Sequence, residues 1–167
     1  KSSEGSARGR LKSEIIAGEE YAPTLFIPGT LDKKPEFAAL NPPLGTEGAI
    51  PSVKTDTLFA FGGDRPNSTV ITAAINSLFL REHNRVAGMI ERAHPAWDDE
   101  RIFQTARNVM IVLLIKVVVE DYINHISPYL FKFRADPRAV LRAVWNRPNW
   151  IALEFNLLYR WHGFVPD

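Results

Sequence analysis

Phe155, Tyr159 and His162 follow one another at i, i+4 and i+7 near the end of the chain. On a helix all three share one face, with the phenol about one turn from the imidazole. Such a stripe is ordinarily helix core, and its histidine a hydrogen-bonded structural residue. Neutral imidazole is also the usual proximal ligand of haem iron, and a tyrosine one turn away is near enough to be oxidised by the haem. The spacing permits radical chemistry without demanding it. Arg65, within Gly62-Gly63-Asp64-Arg65-Pro66-Asn67, stands just before a helix start. There an arginine makes a surface salt bridge or points a cation into a cleft where negative charge develops, and position favours the former. The run Arg81-Glu82-His83-Asn84-Arg85 has charges at i, i+4 around a histidine, the pattern of a solvated or ion-paired helix face with a structural role. Tyr122, Ser127 and Tyr129 bring hydroxyls to the end of an apolar stretch, where they cap its last carbonyls or line a pocket. Spacing does not separate the two uses.

Composition narrows the chemistry. The 167 residues are one domain's worth, 46% hydrophobic, with a net charge of +1 that gives no footprint for nucleic acid. There is no cysteine. That excludes disulfide scaffolds, zinc ribbons, thiolate-held iron–sulfur clusters and thiol catalysis. The histidines His83, His94, His125 and His162 show no i, i+4 pair, so a helix-borne zinc hydrolase is excluded as well. The longest apolar run, Val109 to Val119, is broken by Lys116 and falls short of the ~20 residues of a membrane span. It reads as a buried helix. No transmembrane span and no signal sequence are expected.

The elements that must position these residues divide unevenly. Of the 22 Pro and Gly, 15 fall in residues 1–66, which predicts an irregular arm covering something else, with short strands at Leu11 to Ile16 and Leu25 to Ile27. From Asn67 the period becomes helical, with Asn67 or Ser68 as N-cap and a stripe of Ile71, Ile75, Leu78, Val86 and Met89 or Ile90. His94-Pro95 ends that helix. Asp98 caps the next, which runs to about His125, and its centre, Met110 to Ile115, is apolar on every side. A helix without a polar face must be surrounded, and this chain has too few helices to wrap it. Asp136-Pro137 opens a short helix to about Trp145, and a last helix spans Trp150 to about His162. The expected fold is mainly α: a partial helical core with a Pro/Gly-rich arm, residues 1–167 forming one incomplete domain.

Ordered strings then carry a resemblance. Leu80-Arg81-Glu82-His83-Asn84-Arg85-Val86, His94-Pro95-Ala96-Trp97-Asp98-Asp99-Glu100 and Phe103-Gln104-Thr105-Ala106-Arg107 resemble the signature of the animal-type haem peroxidase superfamily. Glu120-Asp121-Tyr122-Ile123-Asn124-His125-Ile126-Ser127-Pro128-Tyr129 and Glu154-Phe155-Asn156-Leu157-Leu158-Tyr159-Arg160-Trp161-His162 are most similar to its cyclooxygenase and fatty-acid dioxygenase branch. The likeness covers nearly the whole chain, most densely from Phe61 onward.

Residue by residue, the resemblance implies that His162 is the proximal haem ligand and Tyr159 the radical tyrosine. Tyr122 would hydrogen-bond that phenol, and Ile123, Ile126, Ser127, Phe155, Leu158 and Trp161 would line a fatty-acid channel. Tyr129 matches the tyrosine at the channel mouth that helps hold the substrate carboxylate. Departures are as informative. Arg65 stands where the mammalian peroxidases related to myeloperoxidase carry their distal arginine and cyclooxygenases an apolar residue. Ser68 replaces the glutamate that forms a haem ester in those peroxidases, which implies non-covalent haem b. Arg160 within Tyr159-Arg160-Trp161 resembles the microbial and fungal dioxygenases of the branch. The family's distal histidine and calcium loop precede the matching region, so the expectation is an internal piece of a larger catalytic domain, with the rest of that domain as its partner and any calcium bound outside this segment.

The resemblance thus implies hydroperoxide, fatty acid and O2 as substrates, with Arg65 polarising the O–O bond and Tyr159 abstracting hydrogen. The alternative is a plain haem peroxidase oxidising small molecules, in which Tyr159 is structural. A chain without cysteine leans towards a cytoplasmic or peripherally membrane-bound enzyme.

Overall fold

The structure is a computed structural model that describes residues 7–41, 57–63, 65–127, 130–136, 138 and 150–159. It is mainly helical and divides into two compact units, Lys1–Leu113 and Leu114–Asp167.

In the first unit the arm holds a short antiparallel hairpin of β1 (Glu14–Ile16) and β2 (Glu19–Tyr21), in the register Glu14 to Tyr21 and Ile16 to Glu19. Its two-residue turn, Ala17-Gly18, has positive φ at both positions, the backbone whose twist matches that of paired strands. The expected strand at Leu11 to Ile16 therefore shrinks to its second half and gains a partner. Leu25 to Ile27 is not a strand: Thr24 and Phe26 make only isolated bridges, to Phe59 and Lys33. Leu25, Phe26 and Phe37 bury there as a small cluster beneath Leu40, Leu58 and Ala60.

Helix α1 (Val70–Ala93) starts at Thr69, whose hydroxyl accepts from the Thr72 amide while Thr72 Oγ1 accepts from the Thr69 amide. This reciprocal cap displaces the expected Asn67 or Ser68 by one or two residues. His94 closes the helix, and Pro95 prevents its continuation. The buried face is Ser77, Leu80, His83, Asn84, Val86, Ala87 and Gly88, whereas Ile71, Ile75, Leu78 and Met89 are exposed. The expected apolar stripe thus holds only at Val86 and Ile90. The reason is that the arm pairs with polar side chains. Asn84 accepts from the Leu11 amide at 2.8 Å and donates to the Leu11 carbonyl and to Glu20, and His83 Nε2 lies 2.9 Å from the Gly9 carbonyl. Arg81 donates to the Glu20 carbonyl, pairs with Glu19 and lies over the Tyr21 ring. Of the run expected as a solvated face, only the Arg85–Glu82 pair is one; His83 and Asn84 are buried clasps on the arm.

Helix α2 (Asp99–Lys116) is capped by Asp98, which accepts from the Arg101 amide at 2.7 Å, and Asp99 accepts from the Gly9 amide at 2.6 Å. Val86 and Ala87 meet Ile102, Ala106 and Met110 in the core of this unit. Beyond Met110 the helix continues through a π-helical segment (Val117–Ile123) into α3 (Asn124–Ile126). Ile111 to Val118 are exposed, so the run expected to be buried is not buried within this chain. Taken as one 28-residue helix, Asp99–Ile126 is long and apolar enough to cross a membrane, by length and composition only, a criterion that core helices of soluble proteins also meet. The run of Val109 to Val119 alone understated it.

In the second unit α4 (Leu153–Leu158) lies within the expected last helix, with Tyr159 closing it. Trp150 to Ala152 are not helical, so the helix starts three residues later than expected, at the extended Ala152, while residues 160–162 and nearly all of the expected Asp136 to Trp145 helix lie outside the described residues. Asp136 does accept from the Arg138 amide at 2.9 Å.

The His83 clasp has a pH consequence. Burial pulls its pKa below the usual histidine value, more than the Gly9 carbonyl raises it. Since a carbonyl only accepts, Nε2 carries the proton, and the folded state favours the neutral ring. A depressed folded pKa contributes stability that is full above the unfolded value, about 6.5, and is lost as pH falls through the folded value. The thermal midpoint of the parent protein is therefore expected to fall on acidification below that value. His83→Gln, which keeps a donor for Gly9, should flatten that dependence; equal slopes in both proteins would contradict it.

Candidate functional site

The expected chemistry gathers on the second unit, where the π-helical segment and α4 bring two phenols together. Tyr122 and Tyr159, 37 positions apart, share a side-chain hydrogen bond that holds the Tyr122 pKa above the ordinary phenol value. Phe155 stacks on Tyr159 at 5.0 Å between centroids with the rings 13° from parallel, as their i, i+4 spacing on α4 requires. Tyr122 is 46% exposed and Tyr159 54% exposed.

The remaining expected site residues are placed unevenly. Ile123 and Ser127 are half-buried beside the π-helical segment, and Ile126, Phe155 and Leu158 are exposed. Ser127 Oγ is buried without a hydrogen-bond partner among the described residues. An open cleft of about 950 Å³ is lined by Val117, Tyr122, Asn124, His125 and Lys132, with the carboxylates of Glu120 and Asp121. It is mixed in polarity, and the described residues do not close an apolar channel. Tyr129, Trp161 and His162 lie outside the described residues.

Arg65 belongs to the first unit, exposed, in a turn closed by the Ser68 amide on the Arg65 carbonyl at 2.9 Å. Asn67 fixes that turn by accepting from the Phe59 amide at 3.0 Å and donating to its carbonyl at 2.9 Å. A separate cavity of about 590 Å³ lies between arm and α1, lined by Phe37, Leu40, Phe61, Phe79, His83 and Met110, and holds none of the expected site residues. Among the described residues no cluster of His, Asp and Glu could hold a metal ion.

Sequence reasoning passed over Asn124 and Glu120. Asn124 accepts from the Phe133 amide at 2.7 Å and donates to the carbonyls of Phe133 and Glu120, both at 2.8 Å, while Glu120 accepts from the Ala135 amide at 3.0 Å. The available signal was an asparagine inside a helical stretch, where its propensity is poor unless its amide has backbone partners.

The animal haem peroxidase family model matches residues 7–137. Prostaglandin G/H synthase 2 of Cavia porcellus is 38% identical and prostaglandin G/H synthase 1 of Rattus norvegicus 35% identical, each over 159 residues, 95% of this chain and 24% of the relative. The chain thus spans about a quarter of the length of these curated relatives. Among solved structures, peroxidase A from Dictyostelium discoideum matches with a TM-score of 0.51 and 30% identity, over 71% of this chain and 20% of that one.

Proposed function

Because the chain belongs to the animal haem peroxidase family, we propose that its parent protein is a haem-dependent fatty-acid dioxygenase in which Tyr159 becomes the radical that takes hydrogen from the substrate. The observation that supports this reading over a plain peroxidase is the side-chain hydrogen bond between Tyr122 and Tyr159. A phenoxyl oxygen accepts a hydrogen bond, so a second phenol within reach suits a redox tyrosine.

The donor set fits haem. His162 stands three residues beyond Tyr159, and the chain has no thiolate to compete as axial ligand. His162 would hold the iron, and Ser68, which has no carboxylate to esterify the haem, supports non-covalent haem b. Calcium belongs in this reading to the rest of the parent.

Bound haem supplies the oxidising equivalents released when a hydroperoxide O–O bond is cleaved. Arg65 would stabilise the negative charge that develops on the departing oxygen. Tyr159 would pass one electron to the oxidised haem and release its phenolic proton to water at its exposed edge, and its oxygen would keep the Tyr122 hydrogen bond, so the phenoxyl stays aimed. The phenoxyl takes a hydrogen atom from a fatty-acid C–H, restoring the phenol and leaving a carbon radical. O2 adds there, and the peroxyl radical recovers a hydrogen atom from Tyr159 to give the hydroperoxide. Ile123, Ile126, Ser127, Phe155, Leu158 and Trp161 would line the acyl chain, and Tyr129 would face its carboxylate.

Oxygen consumption by the haem-loaded parent tests the reading. Adding a polyunsaturated fatty acid with a trace of hydroperoxide should produce sustained uptake matched by lipid hydroperoxide. Oxidation of a reducing cosubstrate with no oxygen uptake would favour the peroxidase alternative.

A further inference from the structure

We propose that Asn124 is a positioning residue for the tyrosine pair, its amide clasped to the Phe133 backbone so as to lock the helical turn that presents Tyr122 to Tyr159. This inference rests on the oxygenase reading above.

The reason lies in the helix that carries Tyr122. A π-helical segment spans Val117–Ile123. Compared with an α-helix it inserts an extra residue into the turn, which rotates every later side chain by about 100° about the axis. Tyr122 therefore points where it does because the segment keeps that register. Such segments are usually short, so this one needs support at its end.

Asn124 supplies it from the position immediately after the segment. Both hydrogens of its amide are used, one on the Glu120 carbonyl within the helix and one on the Phe133 carbonyl. Its oxygen accepts from the Phe133 amide. Lys132 Nζ donates back to the Asn124 carbonyl at 3.0 Å, and the Glu120 carboxylate takes the Ala135 amide at 3.0 Å while lying 3.7 Å from Lys116 Nζ. The stretch from Lys132 to Ala135 is thereby tied along the helix end as a splint. Tyr122 itself is too exposed for packing to hold its ring, so the backbone must set its direction. Without the amide, the Glu120 carbonyl and both Phe133 backbone groups lose partners, and relaxation towards α register swings Tyr122 away from Tyr159. Loss of that aim would let the phenoxyl reach more than one substrate carbon.

The test uses the haem-loaded parent and two readouts. In Asn124→Ala, the single main hydroperoxide regioisomer should give way to a mixture. The tyrosyl-radical electron paramagnetic resonance spectrum should also shift to that of Tyr122→Phe, with no further shift in the double variant. Asn124→Asp, which keeps only the acceptor for the Phe133 amide, should fall between. Thermal melting and the haem absorption band serve as controls, and if Asn124→Ala does not fold, the spectrum of Asn124→Asp decides in the same way. Wild-type product ratios and a wild-type radical spectrum in the variants would overturn the inference, as would shifts that add to those of Tyr122→Phe. Failure of the underlying reading is recognised separately, by Tyr159→Phe continuing to oxygenate.

Discussion

Tyr159→Phe is expected to abolish fatty-acid oxygenation by the haem-loaded parent while hydroperoxide cleavage with a reducing cosubstrate continues. The substitution removes one oxygen and leaves the ring, so the stack on Phe155 survives and little else changes. What disappears is the oxygen that Tyr159, closing α4, shares in the pair with Tyr122. Tyr122 does not replace it, because its ring is carried by the π-helical segment and it lacks the one-turn spacing that links Tyr159 to His162. Tyr122→Phe should be milder, keeping oxygenation but slowing it and broadening its products, because the radical loses a hydrogen bond and with it part of its aim. Paired oxygen-uptake and cosubstrate assays read both effects. Oxygenation that survives in Tyr159→Phe would assign the radical elsewhere.

Gly9→Ala is expected to have the largest effect on stability. Gly9 has φ of +71°, and a methyl group there would overlap Ile102 Cγ2 and come 2.8 Å from the Phe103 backbone nitrogen. Ile102 is fully buried and cannot swing aside. A left-handed alanine costs about 1–2 kcal/mol, and overpacking a closed core adds about 1–3 kcal/mol. The Gly9 amide and carbonyl would also be displaced from Asp99 and His83, so the arm should detach from α1 and α2. Denaturant unfolding of the parent should show a lower midpoint, and limited proteolysis should cut the arm early. A midpoint unchanged within error would mean that the arm docks differently.

The boundaries legible in the sequence were those set by local chemistry. Pro95 after His94 and the Asp98 cap required only backbone rules, and both helix ends fall where those rules put them. The α1 face was misread because an apolar stripe was assumed to point at an apolar core. Here the arm is docked through Asn84, His83 and Arg81, and polar side chains that bind backbone are invisible to a hydrophobic period. The exposed stretch of α2 agrees with the arithmetic that left too few helices in this chain to wrap it, whereas the exposed isoleucines of α1 were not foreseen. At the site, the Tyr122–Tyr159 contact was named only through family resemblance, since no period links residues so far apart. The π-helical register and the Asn124 splint had no counterpart in that resemblance, because a change of helical pitch leaves the order of residues untouched.

The central claim, that His162 holds haem one turn from a redox tyrosine, is tested most directly by the absorption spectrum of the full-length parent expressed with haem, beside its His162→Ala variant. The account predicts a Soret band in the parent that the substitution abolishes or shifts. Identical spectra from the two proteins would contradict it, removing the iron from His162 and with it the oxidant that Tyr159 requires.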